Sequence, residues 1–161
     1  FDSKQIVDSQ PLFWDDQQVS GASTTSTHNT NQASTTLAVG AVAGKRVRQT
    51  FRRFNYQPGK SQLFIQTFNL GLGGTGIKKR VGLFDDGNGI FLLQDATTLK
   101  VGLRTFTSGS AVDTEIALDF SNPLFSKYPI TASTSEAGYS ILSVRYLLKN
   151  CFTSAPLSVD C

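Results

Sequence analysis

A chain of 161 residues suits one domain with its own core and argues against a two-domain enzyme. Twelve Phe, four Tyr and one Trp beside only 17% charged residues exclude a disordered chain, while one His, two Cys and no Met leave little material for metal or imidazole chemistry. The net charge of +3 is unevenly spread: residues 1–16 hold one Lys against four Asp, residues 17–84 nine Lys and Arg with no acid, and residues 85–161 five Lys and Arg against eight acids.

Residues 11–18 open with an aromatic pair that suits a strand, and residues 19–31 read as a polar, low-complexity connection. The β-branched composition of 33–39, closed by Gly40 and Gly44, predicts a second strand. Over 45–56 the alternation of Val47, Gln49 and Phe51 slips by one residue before Phe54 and Tyr56, which predicts a bulge near Arg52 and Arg53. Gln57-Pro58-Gly59-Lys60 is a turn, since Pro presets the first corner and Gly the second. Residues 63–68 read as a strand buried on much of both faces, and the glycine-rich 69–76 as a loop. The Asp-Gly and Asn-Gly signals of 85–89 sit between apolar runs 79–84 and 90–94, the pattern of a β-hairpin. Strands follow at 98–106 and 112–120, and a run at 139–148 favours a strand over a short helix. Eight or nine strands without an amphipathic helix predict an all-β protein, and the apolar runs among them favour a jelly-roll-like antiparallel β-sandwich over a barrel. The expected organisation is a β-sandwich core over 1–120 and a C-terminal β extension over 121–161 that completes the sandwich or contacts a neighbour.

Few residues suggest chemistry. Gly71, Gly73 and Gly76 satisfy the glycine fingerprint of dinucleotide sites, but that motif needs a helix N-terminus after it, and Ile77 to Val81 open a strand. No cofactor is expected. His28 lies in a polar stretch expected to be an exposed loop, and Asp85 and Asp86 are accounted for by turn chemistry. Asp113, Glu115 and Asp119 offer oxygen ligands for calcium, although their spacing on one strand also describes an outward polar face, and no metal site is assigned. Cys151 and Cys161 could close a small loop by a disulfide or remain two thiols. No run reaches the ~18 apolar residues of a membrane helix. Phe1-Asp2-Ser3-Lys4 resembles neither a signal peptide nor a translation start, so an internal or processed piece is expected.

The candidate contact residues are the basic runs Lys45, Arg46, Arg48, Arg52 and Arg53, with Lys78, Lys79 and Arg80. They can hold phosphates or a neighbouring subunit, or pair with the acidic flanks. Trp14 and Tyr56 are the candidates for stacking on a glycan.

Taken together, QPLFW at 10–14, ASTT at 33–36, RVRQT at 46–50, RFNYQPGKSQ at 53–62, KRVGLFD at 79–85 and NGIF at 88–91 resemble a β-rich module of virion structural proteins of tailed phages and large aquatic viruses. The resemblance covers about residues 1–119, and the Gly- and Trp-rich second half of such modules is not found after Phe120. It implies a non-enzymatic subunit of a capsid, decoration layer, fibre or baseplate, located in the virion. Its partners would be other copies of itself and other virion proteins. A carbohydrate-binding adhesin that attaches to a host-surface glycan is the alternative. Nucleic-acid contact by the basic centre is a third reading.

Overall fold

The computed structural model describes residues 2–54, 63–118, 140–142 and 155–160, the last two segments as backbone strands. Its elements are β1 (Trp14–Ser20), β2 (Thr24–Asn29), a 3-10 turn (Thr30–Gln32), β3 (Ser34–Val39), β4 (Lys45–Phe54), β5 (Gln66–Phe68), β6 (Lys78–Phe84), β7 (Gly89–Asp95), β8 (Thr98–Thr105), β9 (Val112–Ala117), β10 (Ser140–Leu142) and β11 (Ala155–Asp160). Every pairing is antiparallel. Seven strands form one sheet in the order β1-β4-β11-β6-β7-β8-β9, while β2–β3 and β5–β10 form two-stranded sheets. The protein is all-β, and its described strands do not divide into the two four-stranded sheets of a jelly roll.

The meander β6–β9 follows from turn chemistry. Between β6 and β7 the Asp85 carboxylate accepts the N–H groups of Gly87 and Asn88 at 2.8 and 2.6 Å, and the Asp85 N–H donates to the Asn88 carbonyl at 2.8 Å. Gly89 then takes φ 146°, a conformation that side chains disfavour. Directly opposite residues share a face of a sheet, so the pairing separates a front face with Phe84, Phe91, Leu93 and Arg104 from a back face with Val81, Leu92, Val101 and Ile116.

On the front face Phe91 stands in a row between Gly82 and Gly102. A Cβ on Gly102 would land inside the Phe91 ring, and one on Gly82 would strike the backbone of Ile90 and Phe91. The glycines in RVGLF and KVGLR are therefore seats for an aromatic ring laid across the strands. Phe84 packs beside it with ring centroids 5.2 Å apart, and with Leu93 these two form the buried cluster.

The back face near β1 and β4 is covered differently. The segment before β1 and the β2–β3 hairpin lie over it: the Trp14 indole N–H donates to the Ser3 hydroxyl at 2.9 Å, the Thr35 hydroxyl to Gln5 at 2.7 Å, and the Ser26 hydroxyl to Asp16.

Two expectations change. The stretch 19–31 contains strand β2, and His28 is half-buried opposite Thr35, with both ring nitrogens shielded from water and without a hydrogen-bond partner among the described residues. The run 63–68 pairs only over β5, and Leu63 and Ile65 are both 66% exposed. The C-terminal stretch supplies β11, which lies inside the sheet: Val159 faces Arg48 on one side and Val81 on the other. The slip in β4 is a bulge, since Thr50, Phe51 and Arg52 lie between the positions facing Ser158 and Pro156, and the Phe51 N–H turns to the Phe13 carbonyl at 3.0 Å.

Candidate functional site

Strand alternation divides the basic runs between the two faces, so they do not form one patch. Arg46 and Arg48 point to the back face, where Arg46 meets Asp16 at 2.7 Å and Arg48 the same carboxylate at 3.1 Å. Arg48 is 5% exposed, gives a further hydrogen bond to the Ser9 carbonyl, and lies over the Trp14 ring at 5.0 Å. Burial lowers its pKa, opposed by the bond to Asp16. Trp14, only 6% exposed, has its indole N–H and a ring face engaged inside the fold, so a glycan has no platform there. Tyr56, Cys151 and Cys161 lie outside the described residues.

Lys79, also on the back face, donates to the carbonyls of Leu70 and, at 2.8 Å, Leu72, while Gln94 reaches the Gly71 carbonyl at 3.3 Å. These bonds pin the glycine-rich loop to β6 and β7, and the strand that follows the loop gives it no helix end for a phosphate.

The remaining cations of β6 and β8 roof the front face. Arg80 lies 5.4 Å above the Phe91 ring, and Arg104 lies 5.8 and 5.6 Å above Phe84 and Phe91. Arg104 grips Asp113 through two bonds of 2.7 and 2.9 Å, and Arg80 approaches the same carboxylate at 3.8 Å. Lys100 joins Asp95 at 2.8 Å to Glu115 at 3.0 Å, with Lys78 3.8 Å from Asp95. The guanidinium groups themselves lie over the rings, and their charges are met by Asp113 beside them. Hydrogen bonding to Arg104 holds the Asp113 carboxyl below the usual carboxylate range, and bonding to Lys100 does the same for Asp95. Asp95 and Glu115, both bonded to Lys100, in turn raise its pKa. Asp113 and Glu115 thus hold protein cations, and no group of three potential metal ligands occurs among the described residues.

Lys45 and Arg53 remain, and they border a cleft of about 450 Å³ where the β6–β7 turn curls over the front face of β1 and β4. That volume falls within the ~300–1,000 Å³ of small-ligand sites. Val19, Val47 and Phe84 give it apolar surface, Gln17 and Gln49 supply amides, and Asp85, Asp86 and Gly87 close the turn side. Lys45 stands 3.9 Å from Asp86 and Arg53 3.6 Å from Asp85. Asp15 accepts from both glutamine amides, at 3.5 Å for Gln49, and fixes their orientation. Alternating amides, ion pairs and apolar surface suit a neutral, hydroxyl-rich ligand; the lining holds no nucleophile paired with a base. Arg52 is exposed and makes no ion pair among the described residues.

Sequence reading missed Asp15, Gln17, Gln49 and the role of Asp85 and Asp86 in this cleft. The alternation of Gln17 with Val19 and of Val47 with Gln49 was the available signal, but it points to a shared wall only once β1 is known to pair with β4. No protein-family model, curated protein or solved structure matches the chain.

Proposed function

We propose that the chain is a structural subunit of a virus particle, at its surface or on an appendage, working by contact with other copies of itself and with other virion proteins and carrying no reaction of its own. The observation that carries this reading is how the ionic side chains are used. Nine carboxylates and cations are tied into ion pairs on the front face or around Arg48, and the surface presents large apolar side chains: Leu12, Phe13, Phe51, Phe106 and Ile116 are all more than half exposed. A sheet stiffened in this way is a brick with sticky sides. The resemblance of the 10–14, 46–50, 53–62 and 79–91 stretches to virion modules supplies the setting. In the same reading the seven-stranded sheet is one leaf of a jelly-roll-like sandwich, a role supported by buried apolar side chains on both of its faces, Leu93 on the front and Val81 and Leu92 on the back. An antibody raised against the chain is expected to label intact purified particles; label found only in the soluble fraction of infected cells would overturn the assignment.

The cleft favours one second reading, attachment to a host-surface glycan. It relocates that contact from Trp14 to the surface between Lys45 and Arg53. A glycan array probed with the native chain and with Arg53→Ala decides it: a signal lost in the variant supports the reading, and an empty array removes it. Nucleic-acid contact has weaker support, since Arg52 is the member of the basic runs left without a partner among the described residues.

A further inference from the structure

The seven-stranded sheet ends in β1 on one side and β9 on the other. Strand edges carry unpaired N–H and C=O groups, and proteins blunt them with bulges, prolines or lysines. β1 is blunted by a register shift between Gln18 and Ser20. β9, with the sequence VDTEIA, has no bulge and no proline, and its two charges, Asp113 and Glu115, are both paired with cations of β8.

Its hydrogen-bonding phase is fixed. The Leu118 N–H donates to the Leu99 carbonyl at 2.9 Å, so Ile116, Thr114 and Val112 bond inward to β8, and alternation turns the backbone groups of Asp113, Glu115 and Ala117 outward. Among the described residues no strand receives them.

We propose that β9 pairs with β9 of a second copy of this chain, antiparallel and centred on Thr114, so that two sheets become one. The sequence is self-complementary in this register. Asp113 and Glu115 of one copy meet Glu115 and Asp113 of the other and exchange backbone hydrogen bonds through their outward groups. Val112 lies opposite Ile116 on the back face, twice, and Thr114 lies opposite Thr114 on the two-fold axis. Val112 is 46% and Ile116 66% exposed in the single chain, and the pairing would cover both. β-branched pairs and Thr–Thr pairs are favourable across antiparallel strands. The acids, which would otherwise repel, arrive already neutralised: Asp113 by Arg104 at 2.7 Å and Glu115 by Lys100 at 3.0 Å. A two-fold of this kind is the commonest closed symmetry of homo-oligomers.

The interface gives the contact reading above a defined partner surface, and it is tested separately from particle labelling. Thr114 is exposed, so charges there spare the fold. The native chain is expected to sediment as a dimer at micromolar concentration. Thr114→Lys alone and Thr114→Glu alone place like charges face to face and should each give monomers with an unchanged circular dichroism spectrum. An equimolar mixture of the two variants should restore the dimer. A monomeric native chain, whether because its own residues or a different protein's strand occupies the edge, overturns the proposal, as does a native-like dimer of Thr114→Lys. Particle labelling with a monomeric native chain would leave the virion reading standing and remove this interface.

Discussion

The two ends of the sheet bury arginine on aromatic rings in opposite ways. At β1 and β4 a second layer of chain does the covering: Arg48 sits on Trp14 beneath the segment before β1 and the β2–β3 hairpin, with Asp16 and the Ser9 carbonyl as its partners. At β6–β9 the cations themselves are the cover, with Arg80 and Arg104 lying over Phe84 and Phe91 and their heads meeting Asp113 at the rim. A sheet face can thus be closed by more polypeptide or by its own long side chains. The first leaves an arginine head almost sealed from water, Arg48 at 5% exposure; the second leaves Arg104, at 12%, closer to the surface.

Removing residues 155–160 takes out the strand between the two ends and should have the largest effect, loss of a single cooperative urea transition by circular dichroism; a native-like midpoint would show that the ends fold without it. Next comes Phe91→Ala, expected to cost about 3–5 kcal/mol in the same measurement. Gly102→Val, which forces a side chain into that ring, should cost about 1–3 kcal/mol. The comparison itself is sharpened by two carboxylate removals. Asp16→Ala strands the buried Arg48 and should cost about 3 kcal/mol, whereas Asp113→Ala releases Arg104 toward solvent and should cost about half as much. Equal losses would mean that both arginines are equally trapped.

Acid should act on the β6–β9 end. The folded pKa values of Asp95 and Asp113 are lowered, so their contribution is present in full above the unfolded carboxylate value of about 3.9 and is lost as pH falls through the folded values. Denaturation midpoints followed downward from pH 5 should therefore drop in the native chain and drop less in Asp113→Ala. Lys100, raised by the same contacts, contributes below its unfolded value of about 10.4 and loses that contribution only as pH climbs through its folded one. The smallest effect belongs to Asp86→Ala, expected to leave the urea midpoint unchanged, because its contact with Lys45 spans 3.9 Å at a fully exposed carboxylate.

Much of the strand content was legible in the sequence because alternation and turn residues are local. The β6–β7 hairpin follows from Asp-Asp-Gly-Asn-Gly between two apolar runs, and the β4 bulge from a slip in period between Phe51 and Phe54. β2 was not legible, since TTSTHN shows no apolar alternation; its inward residues, Thr24, Ser26 and His28, are polar and are held by packing and by the Asp16 bond. The central place of β11 was equally hidden, because strand order depends on pairing between segments about a hundred residues apart. The division of the basic runs was half legible. Their alternation announces two faces, but Asp16, Asp113 and Asp95 become their partners only through registers that no local pattern encodes.

The placement of Trp14 has an optical consequence. It is the chain's one tryptophan, and residues 63–118 contain neither tryptophan nor tyrosine. Red-edge excited emission therefore reads the β1–β4 end alone, from a ring stacked under a guanidinium, and is blind to the phenylalanine cluster of β6–β9. Divergence between the emission curve and the dichroism curve in one titration would separate the two ends in time or in denaturant, with no label attached.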